Sequence, residues 1–237
     1  MSEVADILRE NEQRNAEVFA PFNPVTGEGS ILARVRVEVS DFPIRVQWLP
    51  EGMLDVPLVK RLVEAGSVAA FYEGLGEEQA YTEEVYQYIV RKFVRVRCMY
   101  DFPFWAVMYV LISNKTGGDD IHFSLNRPQR LLVTRFEEMR MNGEPIRLIL
   151  LKARQWGGST ATQIYMAWLQ LVHKTGLNSL IVGHVKDASY EVRDMFDKMI
   201  DEYPVELLHE IGESYDPNEV KIEGVGNSGN IRRIPQQ

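Results

Sequence analysis

Cysteine is nearly absent. Cys98 stands alone in 237 residues, which excludes an internal disulfide and suits a reducing compartment such as the cytoplasm. It lies in an apolar, aromatic stretch and reads as a core thiol. Long apolar runs are missing too. No stretch approaches the roughly 20 residues that a bilayer span needs, and Met1-Ser2-Glu3-Val4-Ala5-Asp6 is not the start of a secretion signal, so no membrane partner is expected. Histidine is scarce: His122, His173, His184 and His209 show no metal-ligand spacing. Basic charge is in deficit. Against 34 Asp and Glu there are 26 Lys and Arg, and the net charge of -8 excludes a surface that binds nucleic acid all over, though not a local basic track. Repeats and low-complexity tracts are absent. What remains, 45% hydrophobic and 25% charged, is ordinary globular composition, enough for one or two domains and a sizeable core.

The most informative stretch runs from Ile146 to Val172. An apolar run, Ile146-Arg147-Leu148-Ile149-Leu150-Leu151, reads as a buried strand. A glycine loop follows, Lys152-Ala153-Arg154-Gln155-Trp156-Gly157-Gly158-Ser159-Thr160. Ile164, Ala167, Trp168, Leu171 and Val172 then carry the spacing of one buried helix face. Strand, glycine loop, helix is the order of a phosphate-cradling loop, because glycines let backbone N–H groups approach an anion and the new helix turns its positive end toward it. The match to G-x-x-x-x-G-K-[ST] is partial. Gly157 fills the second glycine position and Ser159 the metal-binding hydroxyl, but Gly158 sits where the lysine belongs and Lys152 where the first glycine belongs. A nucleotide here needs another cation, and Lys152 and Arg154 are the candidates. The plainer alternative is an ordinary glycine turn between a strand and a helix.

Neighbouring segments extend the pattern. Asn178 to His184 reads as a second buried strand, and Val192, Met195, Phe196, Met199, Ile200 and Tyr203 line a helix from about Lys186 that Pro204 ends. The expected fold is therefore α/β, a parallel, doubly wound unit. Upstream, Phe123-Ser124-Leu125-Asn126-Arg127-Pro128-Gln129 precedes a helix near Arg130 to Arg140, where the Gln129 amide has the two-sided hydrogen bonding that could read adenine. A solvent-exposed turn residue is the alternative for Gln129.

Taken together, Arg127-Pro128-Gln129, the loop from Lys152 to Thr160, and the strand-helix from Leu180 to Met199 resemble the ATPase domain of the large terminase subunit of tailed bacteriophages, over roughly residues 101–237. The resemblance implies a P-loop (ASCE/RecA-like) parallel sheet with flanking helices, incomplete at its end, and a motor that couples ATP hydrolysis to DNA translocation into the prohead. Some terminases carry the loop lysine at its start. Lys152 would then be the phosphate lysine and Arg154 the γ-phosphate contact, the two catalytic cations. Gly157 and Gly158 would line the nucleotide, Ser159 (or Thr160) would hold Mg²⁺, and Gln129 would read adenine. Implied partners are double-stranded DNA, the portal, the small terminase subunit and further copies in a ring, all in the cytoplasm of an infected host. The sequence departs from the family in lacking an apolar strand that ends in paired acidic residues and a metal-dependent nuclease region. The expectation is the front portion of a longer protein, with ATP hydrolysis not expected from this chain alone. Two alternatives stand beside it: a helicase-like motor fragment, and a degenerate or truncated P-loop protein that binds nucleic acid or a partner.

The remainder reads as an α+β accessory region over 1–118, before the P-loop region at 119–237. A polar amphipathic helix occupies the first 20 residues, with strands over Ile31 to Val39 and Phe42 to Pro50 and helices over Val56 to Gly66 and Tyr81 to Val94. Arg91-Lys92-Phe93-Val94-Arg95-Val96-Arg97 is the best local basic track. As a strand it would place Arg91, Phe93, Arg95 and Arg97 on one face for phosphates and bases, or simply be solvated. Asp101 to Trp105 is aromatic enough to be core. Val220 to Ile234, broken by Gly226-Asn227-Ser228-Gly229, has the turn chemistry of a β-hairpin.

Overall fold

The computed structural model describes residues 2–19, 21–76, 80–114, 117–151, 156–173, 179–182, 186–204, 207, 220–225 and 228–233. The chain divides into two compact units, Met1–Gln87 and Tyr88–Gln237. No helix among the described residues is long and apolar enough to cross a membrane.

In the first unit, helix α1 (Ser2–Phe19) carries Val4, Ile7 and Leu8 exposed along one side. Strands β1 (Arg34–Glu38) and β2 (Val46–Pro50) pair antiparallel, with Arg34 opposite Pro50 and Glu38 opposite Val46. The loop before them folds back onto β2, where Trp48 N donates to Thr26 O. Gly27 permits that approach: its φ is +85°, and a Cβ there would lie 2.2 Å from Trp48 O. After a 3-10 turn at Glu51–Asp55, helix α2 (Pro57–Ala65) starts on its proline and ends at Gly66 in the left-handed region. Helix α3 (Val68–Glu73) is capped twice, by Ser67 Oγ accepting from Ala70 N and by the Asp41 carboxylate accepting from Val68 N and Ala69 N. Val37, Val39, Leu49, Met53, Leu62 and Val68 fill the space between these elements.

Helix α4 spans Glu83–Tyr100, with the division between the units falling inside it. The basic track therefore lies on a helix and not on a strand. At helical spacing Phe93 and Arg97 share the buried face, and Arg97 is fully buried, 3.1 Å from Asp101 and 3.9 Å above the Phe104 ring. Asp101 also accepts from Phe104 N and so starts helix α5 (Phe102–Tyr109). The strands β3 (Leu111–Ile112) and β4 (Ile121–His122) form a short antiparallel pair.

Helix α6 (Arg127–Met141) and helix α7 (Gly158–Trp168) follow, and α7 runs on into a π-helical turn, Leu169–His173. They touch at Gln129 with Gly157 and at Glu137 with Tyr165, the same offset of 28 residues both times. A constant offset means that the two helices run side by side in the same direction. The chain must therefore return along α6 before α7 begins, and residues 144–151 make part of that return. The core gathers around Phe102, whose ring lies edge-on to Tyr165 at 5.1 Å and to Trp168 at 5.4 Å. The indole N–H groups are satisfied inside it: Trp168 donates to Cys98 O at 2.7 Å and Trp105 to Tyr203 Oη at 2.9 Å. Helix α8 (Lys186–Asp201) adds Phe196 and Met199.

The parallel α/β sheet expected from the sequence is not formed. The protein is mostly helical, 57% helix against 10% strand, and every strand pairing among the described residues is antiparallel. Strand β5 (Ser179–Val182) pairs antiparallel with β7 (Ser228–Arg233), which in turn pairs with β6 (Val220–Val225) as the expected hairpin. The run Ile146 to Leu151 has no strand partner among the described residues. Its alternation survives: Ile146, Leu148 and Leu150 line a cavity of about 320 Å³ against Leu132, Phe136 and Tyr165, whereas Ile149 and Leu151 are fully exposed. Apolar patterning marks a segment as able to be a strand, but only a neighbour's hydrogen bonds make it one.

Three predictions come from this core. Phe102→Ala should cost about 3–5 kcal/mol in a denaturant titration, the range for a large buried aromatic. Burial pushes the Cys98 thiol from 9.0 up to about 12 and also raises the Tyr109 and Tyr165 phenols. Acids raised by folding contribute fully below their unfolded values and lose that contribution as pH climbs through the folded ones. Stability should therefore fall between pH 9 and about 12, and native Cys98 should resist a thiol reagent at about pH 8 until the chain is unfolded.

Candidate phosphate-binding site

The first turn of α6 and the start of α7 meet through two amide side chains. Asn126 is the N-cap of α6: its Oδ1 accepts from Gln129 N at 3.0 Å, and Gln129 Oε1 accepts in return from Asn126 N at 2.9 Å. This reciprocal pair is a capping box, and it satisfies two backbone donors that a helix start otherwise leaves open. Both side chains have a second amide end, and both ends reach the loop. Asn126 Nδ2 donates to Trp156 O at 3.0 Å, and Gln129 Nε2 donates to Gly157 O at 3.0 Å. Gln129 is buried, at 4% exposure, so its amide is held on all sides by protein. Reading adenine, the role expected of it, would require giving up one of these bonds.

Gly157 is the N-cap of α7, at φ +78°, and as a glycine it brings no side-chain cap of its own. The first backbone N–H groups of α7 therefore have no partner within the helix, and the positive end of its dipole lies with them. Gly157 must be glycine for two reasons, since a Cβ would sit 2.5 Å from Gln129 Nε2 and the backbone is left-handed. Gly158 is buried against the Trp156 indole, where a Cβ would meet Cζ2 at 2.7 Å. The place of the usual loop lysine is thus filled by a ring. Ser159 is exposed and Thr160 half-buried in the first turn of α7. Around the same corner, burial and the neighbouring Arg127 guanidinium draw Arg130 below the ordinary guanidinium range.

Lys152 and Arg154, the expected phosphate cations, lie outside the described residues, as does His184. Among the described residues, no group of three or more His, Cys, Asp or Glu is placed to hold a metal ion. The site that can be described consists of Asn126, Gln129, Trp156, Gly157, Gly158, Ser159 and Thr160. The sequence reading omitted Asn126 and gave Trp156 no role. An Asn followed three residues later by Gln at a helix start is a capping signal and would have found Asn126, whereas nothing in the sequence marks the indole packed on Gly158. The chain matches no protein-family model, no curated protein and no solved structure.

Gly157→Ala should destabilise the protein by roughly 1–3 kcal/mol, combining a left-handed alanine with displacement of Gln129. Gly143 is the matched control: its φ is +71°, but nothing lies within 4 Å of the added methyl. The excess loss in Gly157→Ala over Gly143→Ala, read from paired denaturant titrations, measures the crowding against Gln129. Equal losses would mean that Gln129 moves aside freely.

Proposed function

We propose that this chain is the nucleotide-binding part of a viral DNA-packaging motor of the large-terminase type, taking ATP with Mg²⁺ at the start of α7. The observation that carries the reading is the junction of Asn126 and Gln129 with Trp156 and Gly157. Two motifs about 30 residues apart, joined until then only by their order in the sequence, lie in direct hydrogen-bonded contact. The residues present fit a triphosphate: a helix start whose N-cap is a glycine, a glycine turn and an exposed hydroxyl at Ser159. Backbone N–H groups of the first turn would hold phosphate oxygens, Ser159 or Thr160 would hold Mg²⁺, and Lys152 and Arg154 would supply the charge that Gly158 does not. Held there, magnesium would supply positive charge against the phosphates. In this reading the whole motor works on double-stranded DNA in the cytoplasm of an infected host, as a ring of copies with a portal and a small subunit.

The unpartnered Ile146 to Leu151 favours a second reading. With no strand neighbour behind it among the described residues, the loop suits a module that binds phosphate, in nucleotide or nucleic acid, without driving a motor.

Calorimetric titration with Mg·ATP tests the first reading. Lys152→Ala should weaken binding by roughly 1.5–3 kcal/mol, about ten- to a hundredfold, as expected for losing one charge-assisted phosphate contact. Unchanged affinity in the variant would remove Lys152 from its role. DNA binding that is salt-steep and indifferent to nucleotide would favour the second reading.

A further inference from the structure

We infer that α1 of one copy of this chain docks on α4 of a second copy, with Ile7 and Leu8 entering a groove beside Met99. Helix α1 needs a partner. Val4, Ile7 and Leu8 are 52–62% exposed, and every side chain from Val4 to Glu12 is exposed. A helix in water draws most of its stability from packing one face, and α1 packs no face along those residues. Glu10 and Glu12 flank the apolar stripe on either side at helical spacing, and Arg9 lies on the back of the helix. An acidic rim disfavours an anionic membrane surface and calls for cations around an apolar groove.

The second unit carries such a surface. Met99, Val172, Tyr203 and Leu207 line a groove of about 170 Å³, and Arg95 lines it with them. That volume falls short of the roughly 300 Å³ at which small-molecule sites begin, so it suits aliphatic side chains. Met99 is exposed, and Arg91, Lys92 and Arg95 precede it on the side of α4 turned away from buried Phe93 and Arg97. Each helix rises about 1.5 Å per residue. With the helices antiparallel and Leu8 at Met99, Glu12 comes level with Arg95, one turn along in each. Antiparallel axes also bring opposite dipole ends together. Helix and groove belong to different parts of the chain, so the contact is heterologous: each copy gives one helix and offers one groove, and copies join head to tail. One helix face of this size belongs to the small, transient class of interface, below about 1,200 Å². The contact involves no nucleotide, so it stands or falls apart from the reading above.

Sedimentation velocity on the full chain without nucleotide, from about 1 µM to about 1 mM, spans the affinities of such contacts. The wild-type mass should rise above that of the monomer as concentration increases. Leu8→Asp spoils the helix and leaves the groove, whereas Arg95→Glu spoils the groove and leaves the helix. Self-association of each variant alone should weaken by at least about tenfold. An equal mixture of the two should form dimers and nothing larger, because one intact helix meets one intact groove. Met99→Asp, at an exposed position, is a second groove variant for the same mixture. Glu12→Arg added to Arg95→Glu should restore association, a result that a misfolded groove could not give. Wild type that stays monomeric throughout overturns the assignment. So does a mixture no more associated than its components, or a Leu8→Asp chain that associates as well as wild type.

Discussion

A glutamine amide with both ends engaged connects α6 to α7. Gln129 closes the first turn of α6 on one side and holds the first residue of α7 on the other. Eight residues along each helix, a buried Glu137 carboxylate accepts from Tyr165 Oη and is met by two N–H groups of Arg140, whose guanidinium lies over Trp168. A buried carboxylate is costly unless it is paired and hydrogen-bonded, and this one is both. The two ties fix where α7 starts and how it is turned about its axis. The placing of Gly157, Gly158 and Ser159 follows from them, with the aromatic core filling the space between.

Helices were largely legible in the sequence, because each carries its own signal. Pro57 and Gly66 bracket α2, Pro128 sits in the first turn of α6, and Leu132 and Phe136 lie on the buried face where their spacing put them. The hairpin β6–β7 was legible from its glycine and asparagine turn. The sheet was not. Whether Ser179–Val182 pairs in parallel with a strand before it or antiparallel with one long after it is decided by partners far away in the chain, and an apolar tetrapeptide holds no record of the choice.

The basic track failed for a related reason. Arg91 to Arg97 satisfies either period, but Asp101 four residues beyond Arg97 favours the helix, where the pair can meet and be buried together. At the candidate site, the glycines and the hydroxyl were found as residue types, while their use was not. Gln129 looked like a reader of bases because its amide has two faces, and in the fold both faces are engaged by backbone. Asn126 was passed over although it does the same work one turn earlier.

The packing of Trp156 on Gly158 also constrains how this loop can change. A lysine at 158 requires the indole to shift, since a Cβ there would lie 2.7 Å from Trp156 Cζ2. Shrinking Trp156 alone removes a wall of the helix start without adding charge. What a side chain at 158 costs therefore depends on what stands at 156. In mutational terms the two positions are epistatic.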